Sequence, residues 1–392
     1  MIVVIADDIS GAAELAGIAH ARGLRARIQT RFEADAGTDV IALDTDTRAV
    51  PLADAVITVS RVIREVLRAE PEWIYKKTDS VLRGHVRAEI SAMLDLTGQR
   101  RALFIPANPA RGRVMRGGQY FVHDIPLHKT VFQADPEYPA TSARVLDLLG
   151  REPGREIRML SQSDPLPLAG IAVPEITCTA DLVHYTRSAD GTCLCAGASE
   201  FFDALLDARG IGAACPAPAS RDCSSAPVTL FVCGSAVAWP LRRRECAARS
   251  IPVHPMPPDV FNDAVGEQVR NLAMSIWTAS VGEALARDGC ALIAIGDSPV
   301  SSRQSPGKLA RMLSQAVKQV IDSQDIERLH LEGGATAAAV LRALNWTNLC
   351  ARQTLGTSVA VFQVSGRERP LVSIKPGSYD WPESVWPPAG RA

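Results

Sequence analysis

Four short clusters of charged and hydroxyl side chains hold most of the chemistry this sequence could perform. They are Asp7, Asp8, Ser10 and Gly11; Asp44, Thr45, Asp46, Thr47 and Arg48; Lys76, Lys77, Thr78, Asp79, Ser80, Arg83 and Gly84; and Asn108, Arg111, Gly112 and Arg113. Arg and Lys bind carboxylate or phosphate, Arg often through two parallel hydrogen bonds. Asp accepts from hydroxyls and can serve as a general base. A small polyhydroxylated acid needs both sets in one place. Phosphoryl transfer needs them too, because charge on the moving group must be offset. Each cluster also has a plain structural use. Asp7 and Asp8 suit a helix cap, residues 45–48 a polar turn, and residues 111–113 a solvated turn. Capping by Asp79 and Ser80 does not account for Lys77 and Arg83 beside them.

The elements between these clusters explain why they should meet. Residues 2–6 form a short continuous apolar run, as in a buried parallel strand. Residues 12–21 read as a helix closed by Gly23. Strands are predicted at 40–43, 73–75 and 102–105, with helices at 53–68 and 85–94. Each cluster follows one strand. In open parallel α/β sheets, ligands bind beyond the carboxyl ends of the strands. Residues 110–139, with Gly117-Gly118, aromatics and prolines, read as an irregular or hairpin excursion long enough to be functional.

The Pro/Ser-rich stretch 215–227 reads as a linker. The α/β alternation restarts beyond it, with strands at 228–233, 291–295 and 329–331 and helices at 269–286, 309–321 and 337–344. The expected fold is therefore α/β, with two domains of mostly parallel, doubly wound sheet and a ligand cleft between them. The domains run from 1 to 214 and from 228 to 392. In the second, Gly333-Gly334-Ala335-Thr336 sits between a strand and a helix, where glycines admit backbone N–H groups to a phosphate. Gly234-Ser235 and Lys375-Pro376-Gly377 are further candidate phosphate or adenosine contacts, and each also suits a turn. Neither a Walker motif nor a Gly-x-Gly-x-x-Gly element follows any strand.

Composition excludes several classes. The 392 residues carry 42 basic and 43 acidic side chains, for a net charge of -1. A polyanion-binding protein usually has a basic excess, so nucleic-acid and membrane-surface partners are not expected. No apolar run approaches the roughly 18 residues of a membrane span. The opening residues lack the basic region of a signal peptide. The nine cysteines include no Cys-x-x-Cys pair, which argues against zinc and for reduced thiols in a cytoplasmic protein.

The clusters also carry a family resemblance. Ala6-Asp7-Asp8-Ile9-Ser10-Gly11-Ala12 resembles the Ala-Asp-Asp-x-Thr-Gly-Ala opening of the four-carbon acid sugar kinases. Residues 76–84 resemble their Lys-Lys-x-Asp-Ser-Thr-Leu-Arg-Gly. Pro106-Ala107-Asn108-Pro109 with Gly112-Arg113, the Asp-Thr-Asp-Thr-Arg run ending at Arg48, and Thr130-Val131-Phe132 with Asp135-Pro136 also resemble theirs. In the second half, Gly234-Ser235, Gly333-Gly334-Ala335-Thr336 and Lys375 with Gly377 are similar to the family's nucleotide elements. Ala335 stands where the family has Glu, and residues 236–240 and 378–380 also depart from it.

The resemblance implies ATP-dependent phosphorylation of the terminal 4-hydroxyl of D-threonate, D-erythronate or a 3-oxo-tetronate, with Mg²⁺. It implies catalytic roles for Asp7, Asp8 and Arg83. Acid binding falls to Ser10, Arg48, Lys77, Asp79, Ser80 and Arg113. Nucleotide binding falls to Ser235, Gly333, Gly334, Ala335, Thr336 and Gly377. No metal ligands can be read, and a homo-oligomer is left open. The alternative is a sugar-acid-binding or regulatory protein of kinase ancestry.

Overall fold

The computed structural model describes residues 1–135, 137–150, 153–211, 227–235, 238–297, 306–355, 359–377 and 379–387. Two compact units divide the chain, Met1–Cys215 and Pro216–Ala392. The predicted linker at 215–227 lies outside the described residues except for Pro227.

In the first unit, β1 (Ile2–Ala6) leads into α1 (Ile9–Ala21), β2 (Ala26–Gln29), β3 (Val40–Asp44), α2 (Leu52–Leu67), β4 (Trp73–Lys77), α3 (Val86–Thr97) and β5 (Arg101–Ile105). An antiparallel excursion follows, made of β6 (Arg113–Arg116), β7 (Gln119–Val122) and β8 (Ile125–Pro126), with 3-10 turns at Leu127–Lys129 and Val131–Ala134. Then come α4 (Val145–Leu149), β9 (Ile157–Leu160), β10 (Gly170–Pro174), α5 (Thr179–Thr186), β11 (Cys193–Gly197) and α6 (Ser199–Ala208). The strands lie in the order β2-β3-β1-β4-β11-β5-β10-β9, each parallel to its neighbours. β1 and β3 are buried throughout, as continuous apolar runs require. α2 turns Ala55, Val59, Val62, Ile63 and Val66 inward, an amphipathic stripe.

The chain leaves β1 toward β2 on one side and leaves β4 toward β5 on the other. That is a topological switch point, where a crevice opens beyond the strand ends. Register makes those ends level, since Ala6 pairs with both Asp44 and Lys77. Asp7, Asp44 and Lys77 are neighbours for that reason.

The second unit contains β12 (Thr229–Cys233), α7 (Trp239–Ala248), β13 (Val253–Pro255), α8 (Pro258–Phe261), α9 (Glu267–Asp288), β14 (Cys290–Ala294), α10 (Pro306–Ser323), β15 (Arg328–Glu332), α11 (Gly334–Ala343), β16 (Asn348–Thr354), β17 (Ala360–Val364) and β18 (Leu371–Lys375). Its order is β13-β14-β12-β15-β18-β17-β16, parallel as far as β18 and antiparallel from there. Cys233 pairs with Glu332 and Glu332 with Lys375, so these strand ends are level as well. The core gathers Phe231, Trp239, Trp381 and Trp386. Among the described residues no helix is long and apolar enough to cross a membrane.

Three differences from the sequence expectation have physical causes. β2 was not anticipated, because Arg27 and Gln29 break its apolar pattern within four residues. α7 was not anticipated either, because its three consecutive arginines hide the buried positions Trp239, Arg242 and Cys246. Lys76 and Lys77 are the last residues of β4 rather than part of the loop after it. Successive strand residues face opposite ways. Lys76 accordingly pairs with Glu89 of α3 at 2.5 Å, fully buried, while Lys77 approaches Glu14 of α1 at 3.6 Å.

The Lys76–Glu89 pair gives a stability test. Removing one partner strands a buried charge, so Glu89→Ala should cost about 3–5 kcal/mol. The double variant K76M/E89L should recover most of that loss in urea denaturation. A cost of Glu89→Ala under about 1 kcal/mol would contradict the burial of the pair.

Candidate functional site

Arg48 is the centre of the first-unit cluster. Its Nε and Nη2 donate to the two oxygens of Asp7 at 2.7 and 3.1 Å, and its Nη1 donates to Asp8 at 2.9 Å. Asp79 lies 3.8 Å from the same guanidinium. The backbone delivers Arg48 there, since the N–H groups of Thr47 and Arg48 both donate to the Asp7 carbonyl, at 3.0 and 3.2 Å. Asp8 also caps α1, accepting from the Gly11 N–H at 2.9 Å and from the Ser10 hydroxyl. The capping role and the charged role therefore coexist in one side chain.

Arg83 pairs with Asp79 through two parallel bonds of 2.9 Å. Asp79 further accepts from the N–H groups of Val81 and Arg83, both at 3.2 Å. It caps a turn, not a helix, because α3 begins only at Val86. Arg113 is buried, with Nη1 donating to Ser80, so residues 111–113 are more than a solvated turn. Lys77 crosses the start of α1. A Cβ on Gly11 would lie 3.2 Å from its Cγ and 3.3 Å from its Nζ, which is why a glycine suits that position. Every N-terminal residue predicted for a site thus falls in this one cluster.

Burial alone would raise the Asp79 carboxyl. The charges of Arg83 and Arg48 outweigh it and hold the group well below the usual carboxylate range. Asp8 behaves alike. Burial opposes its ionisation, but Arg48, Lys77, Ser10 and the Gly11 N–H keep it low. Asp44 goes the other way, pushed well up by burial and by the neighbouring charge of Asp46.

Other members of this site were not singled out for a role from the sequence. Glu14 is buried on α1, 3.6 Å from Lys77 and 3.8 Å from Arg111. Its signal was visible, as the only acid in an otherwise apolar and small-residue helix. The excursion contributes Asp135, 3.0 Å from Arg83, and Phe132, whose ring lies 5.8 Å from the guanidinium carbons of both Arg83 and Arg113. The Tyr138 hydroxyl donates to the Arg48 carbonyl. The sequence marks Phe132 and Asp135 only through the motif resemblance, and their partners are not legible because they lie far along the chain.

The second-unit candidates converge at the ends of β12, β15 and β18. A Cβ on Gly234 would come within 1.8 Å of Thr336 Oγ1, and one on Gly377 within 2.9 Å of Ser235 Oγ. Gly333 has φ +97°, a left-handed conformation, and its N–H donates to the Lys375 carbonyl at 2.9 Å. Gly334 opens α11 and Thr336 is buried, while Ala335 is exposed on the first turn. The departures from the family at 236, 237 and 378 lie outside the described residues.

Beneath these loops, buried Glu332 accepts from Arg242 at 3.0 Å and from Lys375. Burial pushes Lys375 down, against the pull of Glu332. Arg242 could not be singled out in sequence from Arg243 and Arg244 beside it. Among the described residues no group of three or more His, Cys, Asp or Glu side chains is placed to hold a metal ion.

Residues 2–190 match a family model described as a sugar-binding N-terminal domain. A D-erythronate kinase of Heliobacterium modesticaldum is 34% identical over 157 residues, which are 38% of this chain and 36% of that protein. A D-threonate kinase of Salmonella typhimurium is 25% identical over 365 residues, 87% of this chain and 86% of that one. A 3-oxo-tetronate kinase of Methylobacterium radiotolerans is 25% identical over 96% of this chain and 95% of its own. These names are those of the family that the sequence motifs resemble.

A crystal structure from Haemophilus influenzae, of a domain-of-unknown-function family, shares the fold with a TM-score of 0.67. It is 16% identical and covers 97% of both chains. Another, from Salmonella typhimurium, has a TM-score of 0.75 at 15% identity, covering 98% of this chain and 97% of its own.

The depressed carboxyls make a pH prediction. A group whose folded pKa lies below its unfolded one stabilises fully above the unfolded value, near about 4, and loses that contribution progressively as the pH falls from there toward the folded pKa. The melting-temperature gap between wild type and Asp79→Asn should be widest near pH 6 and shrink below about pH 4. A gap independent of pH would contradict the ion-pair account.

Proposed function

Because residues 2–190 of the chain belong to the sugar-binding N-terminal domain family, we propose that the protein is an ATP-dependent kinase. It phosphorylates the terminal 4-hydroxyl of a four-carbon sugar acid such as D-erythronate, D-threonate or a 3-oxo-tetronate. The observation that carries this reading is the array of Asp7, Asp8, Asp79, Arg48 and Arg83 at the switch point of the first sheet. It joins hydroxyl acceptors to anion-binding groups, as a polyhydroxylated acid requires. The kinase names of the relatives supply the reaction class.

In this reading residues 1–214 bind the acid and residues 228–392 bind the nucleotide. Arg83, Arg113 and Lys77 hold the carboxylate or the transferring group. Ser10, Arg48, Asp79 and Ser80 fix the array. Asp7 and Asp8 accept from substrate hydroxyls. Asp8 is held ionised by Arg48, which makes it a weak base. It therefore orients the attacking oxygen more than it removes the proton, and a loose phosphoryl-transfer transition state demands little more.

ATP, when bound, supplies the phosphoryl group. Gly234 packs against the Thr336 hydroxyl and Gly377 against the Ser235 hydroxyl, so backbone and small hydroxyl side chains line the strand ends, as a phosphate site can use. The N-terminus of α11 at Gly333, Gly334, Ala335 and Thr336 favours an anion there. Mg²⁺, when bound, would be held mainly through the nucleotide phosphates.

One observation favours a second reading. Ala335 stands exposed on α11 where the resembled motif has Glu, as a sugar-acid-binding protein of kinase ancestry would allow.

ADP release from Mg-ATP across three- to six-carbon sugar acids tests the proposal, with turnover expected on a four-carbon acid. A folded sample that melts higher with an acid, but turns over none and does not respond to Mg-ATP, would favour the second reading. Asp8→Asn keeps a good helix cap but gives up a charge on Arg48, so the protein should still fold, with a lowered melting temperature, while kcat falls at least about 100-fold. Arg83→Ala should raise KM for the acid about ten-fold or more and leave KM for ATP nearly unchanged. Equal effects on both would reject its assignment to the acid.

A further inference from the structure

Each nitrogen of the Arg83 guanidinium already donates to a carboxylate in this arrangement. Asp79 takes Nε and Nη2, and Asp135 takes Nη1. Arg48 is equally occupied by Asp7 and Asp8. A carboxylate that pairs with Arg83 at Nη1 would replace the one already there.

The four carboxylates are not equally replaceable. Asp7 and Asp8 are fixed at the end of β1 and the cap of α1. Asp79 sits on the same turn as Arg83 and accepts two of that turn's N–H groups. Asp135 comes from outside the parallel sheet, just after the 3-10 turn Val131–Ala134. It is also the least buried, with its side chain 16% exposed against 5%, 12% and 9% for Asp7, Asp8 and Asp79. Its second oxygen accepts from the N–H groups of Glu137 and Tyr138, at 3.0 and 2.9 Å. Those bonds keep the carboxylate tied to its own loop.

Exchanging Asp135 for a ligand carboxylate keeps the charge around Arg83 constant. Adding a ligand without that exchange would place three carboxylates on one guanidinium. Leaving Arg83 without either would leave Nη1 of a half-buried guanidinium unpaired.

Resting on the sugar-acid reading, we infer that Asp135 is an internal stand-in for the substrate carboxylate, which occupies Arg83 until an acid displaces it. Asp135 then sets acid affinity by competition for Arg83.

The test is calorimetric titration of D-erythronate and D-threonate, without nucleotide, into the full chain and into Asp135→Asn. The amide still accepts the Glu137 and Tyr138 N–H groups but competes less for Arg83. The variant should bind the acid about five-fold more tightly, the worth of one partly exposed ion pair. If Asp135→Asn does not fold, Asp135→Ser repeats the measurement, because its hydroxyl can still accept from that backbone. Unchanged or weaker binding by a folded variant, where wild type binds, overturns the inference and leaves the sugar-acid reading standing. Failure of both acids to bind wild type and variant alike overturns the sugar-acid reading itself, and the inference falls with it.

Discussion

The Arg48 guanidinium makes the first unit's site chemically feasible. Two consecutive aspartates at the end of a buried strand, with a third on the next strand's loop, would repel one another strongly in a poorly solvated place. Arg48 lies among all three and keeps Asp8 ionised although it is buried. Its position depends on the backbone bonds of Thr47 and Arg48 to the Asp7 carbonyl. The level ends of β1, β3 and β4 bring those segments within reach. Register, loop and charge balance are thus one constraint.

The second unit meets a similar problem with the signs rearranged. Glu332 ends β15 and Lys375 ends β18, side by side and almost fully buried. Arg242 from α7 adds a second cation against the same carboxylate. The resulting group holds two strand ends and a helix together near Gly234, Gly333 and Gly377. Glycines above a rigid charged layer suit a surface on which backbone must come close to a ligand. His330 shows the opposite policy toward burial. Neither ring nitrogen has a partner, burial lowers its pKa to about 3, and it packs as a neutral ring against Phe231 and Trp381.

Much of this arrangement was legible before any coordinates. The buried strands announce themselves as apolar runs, and each polar cluster falls after one of them. The rule that ligands gather beyond parallel strand ends then suffices to join Asp8, Arg48, Lys77, Asp79, Arg83 and Arg113. Glu14 was readable in principle, since a lone acid in a helix of small apolar residues demands a partner. Lys76 was misplaced by a residue or two, because a lysine at a strand's end looks like loop until its buried partner Glu89 is seen.

The sequence by itself determined the order of elements, the chemical character of each strand end and the kinship those motifs carry. These follow from local periodicity and residue type, which act over a few positions. Tertiary structure alone decided which charge neutralises which. It put Asp135 on Arg83 and Arg242 on Glu332, pairs separated by 52 and 90 residues, and it also set the Tyr138 hydroxyl on the Arg48 backbone carbonyl. Such pairings depend on strand order and on the path of the excursion, and several carboxylates in the chain could have served each arginine equally well. Only the packed fold selects among them, because burial makes an unpaired charge too costly to leave.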